Sequence, residues 1–344
     1  MEERHLKMTN KVKTITIGDV AKKVGVSKST VSQYINHRYE YMGEQTKLRI
    51  EEAIKELGYQ PNILARSLKQ KTSKTIGVIL ANIAHDFSTQ VVRSIEEYCN
   101  SSNYNIIVCN AEDDPIKERN HIDMLRAKQI DGIITLPTST NVDIYKDLAS
   151  EKFPMVFIDR EVPNLNIRSV MLDNKLATQL AVNEFHEHGY KRIGFLTTSI
   201  KKQVTPRIER LEGFAEALKI KGLEINDNFI KGVPLEEIPN ELNQMMNSEF
   251  PPEAILAGND LTLIATLKYI KEHKLSIPDD IALIGIDDVP FAPVYYPELT
   301  TISQPTSDMG KKAAELLMKQ ITGEEQSNKL RYNFKPNLIR RSSC

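Results

Sequence analysis

Thr16-Ile17-Gly18-Asp19-Val20-Ala21-Lys22-Lys23-Val24-Gly25-Val26-Ser27-Lys28-Ser29-Thr30-Val31-Ser32 is the stretch that decides how this chain begins. Thr16 followed three residues later by Asp19 has the spacing of a capping box, in which side-chain oxygens satisfy orphan amides at a helix start. Val20, Ala21 and Val24 give that helix one apolar face. Gly25 falls where the chain must reverse, and glycine takes positive φ without steric penalty. Ser27 then stands where it can cap a second helix, so the stretch predicts a helix-turn-helix. Val31 and Ile35, four apart, turn inward and leave Lys28, Ser29, Ser32 and Gln33 toward solvent. Those side chains can reach base edges or phosphates. A generic helical hairpin with a solvated face would need no such agreement of apolar spacing, turn glycine and double cap. The stretch therefore reads as a DNA-binding head.

Charge agrees. From Met1 to Lys74 there are 15 Lys and Arg against 8 Asp and Glu, a net of +7, and the other 270 residues hold 30 against 38, a net of −8. A cationic head gains from counterion release on phosphates, and an acidic body discourages wrapping the rest of the chain around nucleic acid.

A chain of 344 residues exceeds one typical domain, so a head plus a large body is expected. Beyond Lys74, short runs rich in Ile and Val alternate with amphipathic stretches: 76–81, 105–109, 132–136, 155–158, 192–196, 254–256 and 281–284. Strand followed by helix, repeated, predicts parallel sheets covered on both faces. Lys74-Thr75-Ile76-Gly77-Val78-Ile79 and Lys191-Arg192-Ile193-Gly194-Phe195-Leu196 share one pattern, as two similar halves would. The fold class expected is α/β: two doubly wound parallel-sheet subdomains facing one another, preceded by an all-α helix-turn-helix domain. In such sheets a ligand sits at the carboxyl ends of the strands, where two lobes can enclose it.

Enzymatic readings find little support. None of the 15 glycines makes a G-x-G-x-x-G turn, a Walker loop or a G-x-S-x-G elbow. His186 and His188, two apart, fall on different faces of a helix and do not suggest a metal site. Asp287 and Asp288 are adjacent after a strand, so they point different ways. Cys99, Cys109 and Cys344 are too few and dispersed for a disulfide framework or zinc cluster. No cofactor is expected. The residues before Ile15 lack the apolar core of a secretory signal and no later run reaches membrane-spanning length, so a cytoplasmic protein with no membrane partner is expected.

The opening stretch closely resembles the headpiece of the LacI-GalR (lactose repressor) family of bacterial transcription regulators. Leu57-Gly58-Tyr59-Gln60-Pro61-Asn62 followed by Ala65-Arg66-Ser67-Leu68 resembles that family's hinge. The likeness runs on through Asp131-Gly132-Ile133-Ile134, Phe157-Ile158-Asp159-Arg160, Arg210-Leu211-Glu212-Gly213-Phe214, Asn259-Asp260, Gly285-Ile286-Asp287-Asp288 and Pro297-Glu298-Leu299-Thr300-Thr301-Ile302, in the family's order. The resemblance implies a sequence-specific regulator, acting as a repressor of carbohydrate catabolism genes, with a body like a periplasmic sugar-binding protein. It implies four segments: a tail (1–14), a helix-turn-helix domain (15–60), a hinge helix and linker (61–73), and an effector-binding and dimerisation domain (74–344). Thr16, Lys28, Ser29, Ser32, Gln33, Asn36, Tyr59, Asn62, Ala65 and Leu68 match DNA-contacting positions, Leu68 as the apolar wedge of a minor-groove step. A homodimer would set two recognition helices in successive major grooves of a palindromic double-stranded operator. No leucine heptad follows the body, so a dimer and not a tetramer is expected.

By the same resemblance Asp159, Arg210, Asn259 and Asp287 contact a small effector, and Phe87 is the aromatic at the cleft mouth. Carboxylates accept from hydroxyls while Arg and Asn donate, which suits a polyol. Arg210 could instead form a salt bridge with one of the Asp residues. Arg160 and Arg207 adjoin the same motifs, and three guanidinium groups near one ligand suit an acidic sugar, since Arg pairs bidentately with carboxylate or phosphate. The headpiece loop and hinge look most like regulators of 2-keto-3-deoxygluconate or hexuronate catabolism. Alternatively Arg160 and Arg207 point into solvent or pair with Asp159 and Glu209, leaving a neutral-sugar site. The sequence also departs from the family. Ala84-His85-Asp86-Phe87-Ser88 replaces an Asn-Pro-Phe-Phe run, Gln33 replaces an Arg that reads guanine, the loop after Asn36 is one residue longer, and Gly43 replaces a Ser cap. A solute-binding transport component and a sugar-modifying enzyme are the competing classes, the first opposed by the basic head and the second by the missing catalytic motifs.

Overall fold

The computed structural model describes residues 15–60, 72–138, 140–201, 203–324 and 327–344. The chain divides into two units, Met1–Ser73 and Lys74–Cys344. The tail at 1–14 and most of the expected hinge, with Asn62, Ala65 and Leu68, lie outside the described residues.

In the first unit, α1 (Ile17–Val24), α2 (Lys28–Ile35) and α3 (Glu44–Leu57) follow one another. Thr16 and Asp19 form the capping box: the Asp19 amide donates to Thr16 Oγ1 at 3.4 Å and the Thr16 amide donates to the Asp19 carboxylate at 2.8 Å. Gly25 takes φ 74°, and the Thr30 amide donates to Ser27 Oγ at 3.0 Å. Gly43 begins α3 with no side-chain cap, a change from Ser that costs a few tenths of a kcal/mol, on the order of 0.3. Val20, Ala21, Val24, Val31, Ile50 and Ala53 close a small core, and Arg49 donates to the Val24 carbonyl at the end of α1. The lengthened loop is pinned from within: His37 Nδ1 and Tyr39 Oη are 2.7 Å apart, and Lys47 Nζ lies 4.7 Å from the centre of the Tyr39 ring.

The second unit carries two six-stranded sheets of like design. The first lobe runs β1 (Thr75–Leu80), α4 (Asp86–Ser101), β2 (Asn105–Asn110), α5 (Pro115–Ala127), β3 (Gly132–Thr135), α6 (Val142–Ser150), β4 (Met155–Ile158) and β5 (Ser169–Leu172). The second runs α7 (Asn174–Glu187), β6 (Ile193–Thr198), α8 (Thr205–Ile220), β7 (Ile230–Val233), α9 (Ile238–Met246), β8 (Ala254–Ala257), α10 (Asp260–Glu272), β9 (Ala282–Ile286) and β10 (Thr300–Ser303). The chain then returns with α11 (Thr306–Thr322) and β11 (Arg331–Phe334) to the first lobe, and β12 (Asn337–Ile339) closes the second. Strand order is β2-β1-β3-β4-β5-β11 in one sheet and β7-β6-β8-β9-β10-β12 in the other, every pairing parallel except β10 with β12.

Every apolar run read from sequence forms a strand. The strands that no apolar run announced are β5, β7, β10, β11 and β12: β7, β11 and β12 are partly exposed edge strands, and β5 and β10, though buried, are four-residue strands that begin on Ser or Thr. Close helix contacts hold each lobe: a Cβ at Gly310 of α11 would lie 2.8 Å from Val91 O on α4, and one at Gly213 of α8 would lie 2.6 Å from Lys175 Cα on α7. Within the first lobe Glu118 is fully buried and accepts four bonds, from the Thr138 amide (3.0 Å) and hydroxyl (2.5 Å), Asn141 Nδ2 (2.6 Å) and Tyr145 Oη (2.6 Å). No described helix is long and apolar enough to cross a membrane.

Candidate functional site

In the head, Lys28, Ser29 and Gln33 are exposed on α2 and Ser32 is half-exposed. Gly18 leaves room for the stem of Lys28, whose Cε would stand 3.1 Å from a Cβ there. Asn36 is seated against the helix end, its Nδ2 donating to the Ser32 carbonyl at 2.7 Å. Thr16 lies at the exposed start of α1, its hydroxyl engaged by Asp19. Tyr59 is placed differently from the expectation: its ring packs into the head's apolar core, because α3 ends on Gly58 at φ 61° and the turn carries the next residue inward.

In the body, the seven candidate effector residues line one cavity at the carboxyl ends of the strands, enclosing about 470 Å³ with its open mouth included. Phe87 comes from α4, Asp159 and Arg160 from the end of β4, Asn259 and Asp287 from just beyond β8 and β9, and Arg207 and Arg210 from α8. Both lobes thus contribute. Asp159 (φ 64°) and Asp287 (φ 87°) adopt left-handed backbone, a conformation Asp tolerates better than most residues and one that turns each side chain off its strand end into the cleft.

Arg210 is buried and held by neutral partners: Nε donates to Asn174 Oδ1 at 2.9 Å and Nη1 to the Gly258 carbonyl at 2.7 Å. It therefore fixes the cleft wall without a bonded salt bridge to either Asp. Asn259 donates from Nδ2 to Thr198 Oγ1 at 3.2 Å and accepts the Thr262 amide at 2.9 Å, so it caps α10 while facing the cavity. Asp287 accepts from Gln304 Nε2 at 2.6 Å and from the Asp260 amide at 3.3 Å. Burial raises the carboxyls of Asp159 and Asp287 above the ordinary range, against the restraining field of Arg210.

Arg160 and Arg207 do not point into solvent; of the alternative partners, Asp159 is a long contact of Arg160 and Glu209 bonds to other residues. Arg160 is buried and donates from Nη1 to Asp113 Oδ1 at 2.6 Å; its Nε has no hydrogen-bond partner among the described residues, with Asp159 Oδ2 lying 3.9 Å away. Arg207 donates to the Ser199 carbonyl at 2.9 Å and reaches Asp113 only at 4.0 Å. Burial, with Arg160 adding to it, brings the Arg207 guanidinium down to about 10. Burial disfavours the Asp113 carboxylate, but the two arginines outweigh it and hold the group below the usual range. Glu209 faces elsewhere, accepting from Arg331 and Asn174.

Sequence reasoning missed His85, Asp113, Asp260 and Gln304. Asp260 lies inside a quoted motif, but only its neighbour was assigned. Asp113 and Gln304 carry no local signal, because loop geometry alone brings Gln304 to the cavity and Asp113 to Arg160.

A helix-turn-helix head joined to a two-lobed body with a polar cleft defines a ligand-responsive transcription regulator and not an enzyme. A family model described as "Bacterial regulatory proteins, lacI family" matches residues 16–62, and one described as "Periplasmic binding protein-like domain" matches 182–344. The chain is 45% identical to "Probable HTH-type transcriptional regulator EndR" of Paenibacillus polymyxa, covering 91% of this chain and 92% of that one. It is 35% identical to "HTH-type transcriptional regulator KdgR" of Bacillus subtilis over 90% and 92%. Among solved structures, the lac repressor bound to ONPG in the repressed state superposes with a TM-score of 0.85 at 25% identity, covering 96% of this chain and all of that one. The chain belongs to the lacI family of bacterial regulatory proteins.

Proposed function

We propose that this regulator works in the cytoplasm as a homodimeric repressor of carbohydrate catabolism genes, released from or recruited to a palindromic operator by an acidic sugar metabolite held between its lobes. 2-Keto-3-deoxygluconate is the candidate effector. The observation that carries the acidic reading is Arg160: a buried guanidinium at the cavity wall whose Nε has no hydrogen-bond partner among the described residues and only a long contact with Asp159 at 3.9 Å, with Arg207 beside it sharing the same Asp113. A ligand carboxylate would accept from Arg160 Nε and draw Arg207 from its long contact. Asp159 and Asp287 would accept sugar hydroxyls, Arg210 and Asn259 would donate, and Phe87 would pack against C–H groups.

On the DNA side, Lys28, Ser29, Ser32, Gln33 and Asn36 would meet the major groove, with Thr16 at the backbone. Asn62, Ala65 and Leu68 would serve a hinge at 61–73 between the head (15–60) and the body (74–344). Whatever factor the effector changes operator affinity by, operator changes effector affinity by the same factor.

Calorimetry of the full chain against sugar acids, sugar phosphates and neutral sugars tests the reading. Tightest binding by a sugar acid is expected, with 2-keto-3-deoxygluconate first among them, and tightest binding by an uncharged sugar refutes it. Gel shifts on selected genomic fragments, with and without the bound compound, check that the same ligand alters operator affinity.

A further inference from the structure

Asp260, the first residue of α10 in the second lobe, accepts the Leu261 amide of its own helix at 2.7 Å and reaches into the first lobe with the same carboxylate. His85 Nδ1 lies 2.5 Å from its Oδ1, and the Asp86 amide donates to its Oδ2 at 2.8 Å. His85 and Asp86 open α4, whose own N-cap residue supplies no side-chain cap. The orphan amide at that helix start is therefore satisfied from across the cleft, and a carboxylate there also meets the positive end of the helix dipole. The contact is dry: the Asp260 side chain is 3% exposed and that of His85 15%. On its other side Asp260 touches the candidate effector site, since its amide donates to Asp287 Oδ2 at 3.3 Å. Phe87, two residues along α4 from His85, lines the same cavity. Other contacts also span the lobes: the Glu161 amide bond to Thr205 Oγ1 at 3.1 Å, the Arg331–Glu209 ion pair at 2.6 Å and the long Arg207–Asp113 contact at 4.0 Å, but none of them caps a helix of the opposite lobe.

We propose that Asp260 is a positioning residue that holds the two lobes in the arrangement where Phe87, Asp159 and Arg160 meet Arg210, Asn259 and Asp287. This rests on the reading of that cavity as the effector site. Charge-assisted bonds of this kind shift an equilibrium by a factor of about ten or more. When they are lost, the lobes spend less time in the competent arrangement, and apparent effector affinity falls by that fraction. His85 stands where the family resemblance led one to expect Asn. An Asn side chain can still present an amide nitrogen to Asp260, whereas Leu cannot.

Two measurements on the full chain test the proposal. In hydrogen exchange without any small molecule, Asp260→Ala should speed exchange about tenfold or more at the start of α4, Asp86 above all, and leave the central strands β1 and β9 as protected as in the parent. Unchanged exchange at α4 overturns the proposal, as does equal acceleration throughout both sheets, which would make Asp260 a generic stabiliser. In calorimetry with 2-keto-3-deoxygluconate, His85→Leu should bind about tenfold more weakly and His85→Asn within about twofold of the parent. Equal affinities for parent and Leu variant overturn it, and so does a loss in the Asn variant as large as in the Leu variant. If the parent does not bind this compound, the effector assignment fails and the exchange comparison decides on Asp260 alone.

Discussion

Replacing Arg210 by Ala should destabilise the body in a pH-dependent way whose direction follows from its neighbours. The guanidinium is 5% exposed and makes two bonds, to Asn174 Oδ1 and the Gly258 carbonyl, which the substitution leaves unsatisfied. Its charge is also the principal influence restraining the upward displacement of the Asp159 and Asp287 carboxyls that burial causes. Removing one charge from a buried group of this kind costs about 3–5 kcal/mol, much of it the penalty of the charges left behind. Both carboxyls titrate higher in the fold than in the unfolded chain. Their contribution to stability is therefore fully present below the unfolded value and is lost as pH rises through the folded one. Without Arg210 the folded values move further up, so the loss widens at neutral pH and shrinks as the groups take up protons. Urea unfolding at a fixed protein concentration should show the deficit against the parent largest at pH 7.5 and clearly smaller at pH 5.0. Fixed concentration matters because the apparent stability of the proposed homodimer would depend on it. A deficit that is constant or grows on acidification would refute the assignment of Arg210 as the restraining charge. It would leave only its neutral hydrogen bonds.

Gln33→Arg should change base preference at one position in each half-site, because a donor pair suited to guanine replaces the donor and acceptor suited to adenine; an identical consensus from binding-site selection with both proteins would remove Gln33 from the readers. Glu118→Ala removes from a dry site the carboxylate that accepts from Thr138, Asn141 and Tyr145 and should lower stability by about 3 kcal/mol, measured by urea unfolding. A loss under about 1 kcal/mol would mean that water or repacking satisfies them.

Much of this architecture is legible in the residues because local physics dictates it. The Thr16–Asp19 box, Gly25 and Ser27 act within a few residues of themselves, so the head can be read from seventeen consecutive letters. Central strands such as β1 and β6 are apolar on both faces and announce themselves. The polar edge strand β11 does not: Arg331-Tyr332-Asn333-Phe334 joins its sheet through register with Ser169–Leu172, a relation set 162 residues away. The site divides similarly. Asp159, Asn259 and Asp287 sit at strand ends where a parallel sheet puts ligand-facing groups, and a family pattern finds them. The partners of Arg160 and the cross-cleft role of Asp260 depend on which loops meet in space, and no spacing in the chain encodes that meeting. Tyr59 shows the converse, a motif position whose ring packs in the core of the head, a burial that the motif alone does not announce.

The three passages of the chain between lobes, after β5, β10 and β11, bear on how the protein is made. The lobe begun first by a ribosome lacks α11, which covers α4, and its edge strand β11 until residues 306–334 have emerged. The second lobe, from α7 to β10, can assemble almost completely before then. During most of translation the nascent first sheet therefore presents a bare helix-binding face beside a nearly finished neighbour, and it is in this interval that chaperones would be needed. Cutting the gene after β5 would not yield two folding units, since the first fragment would lack α11 and β11, which the second encodes.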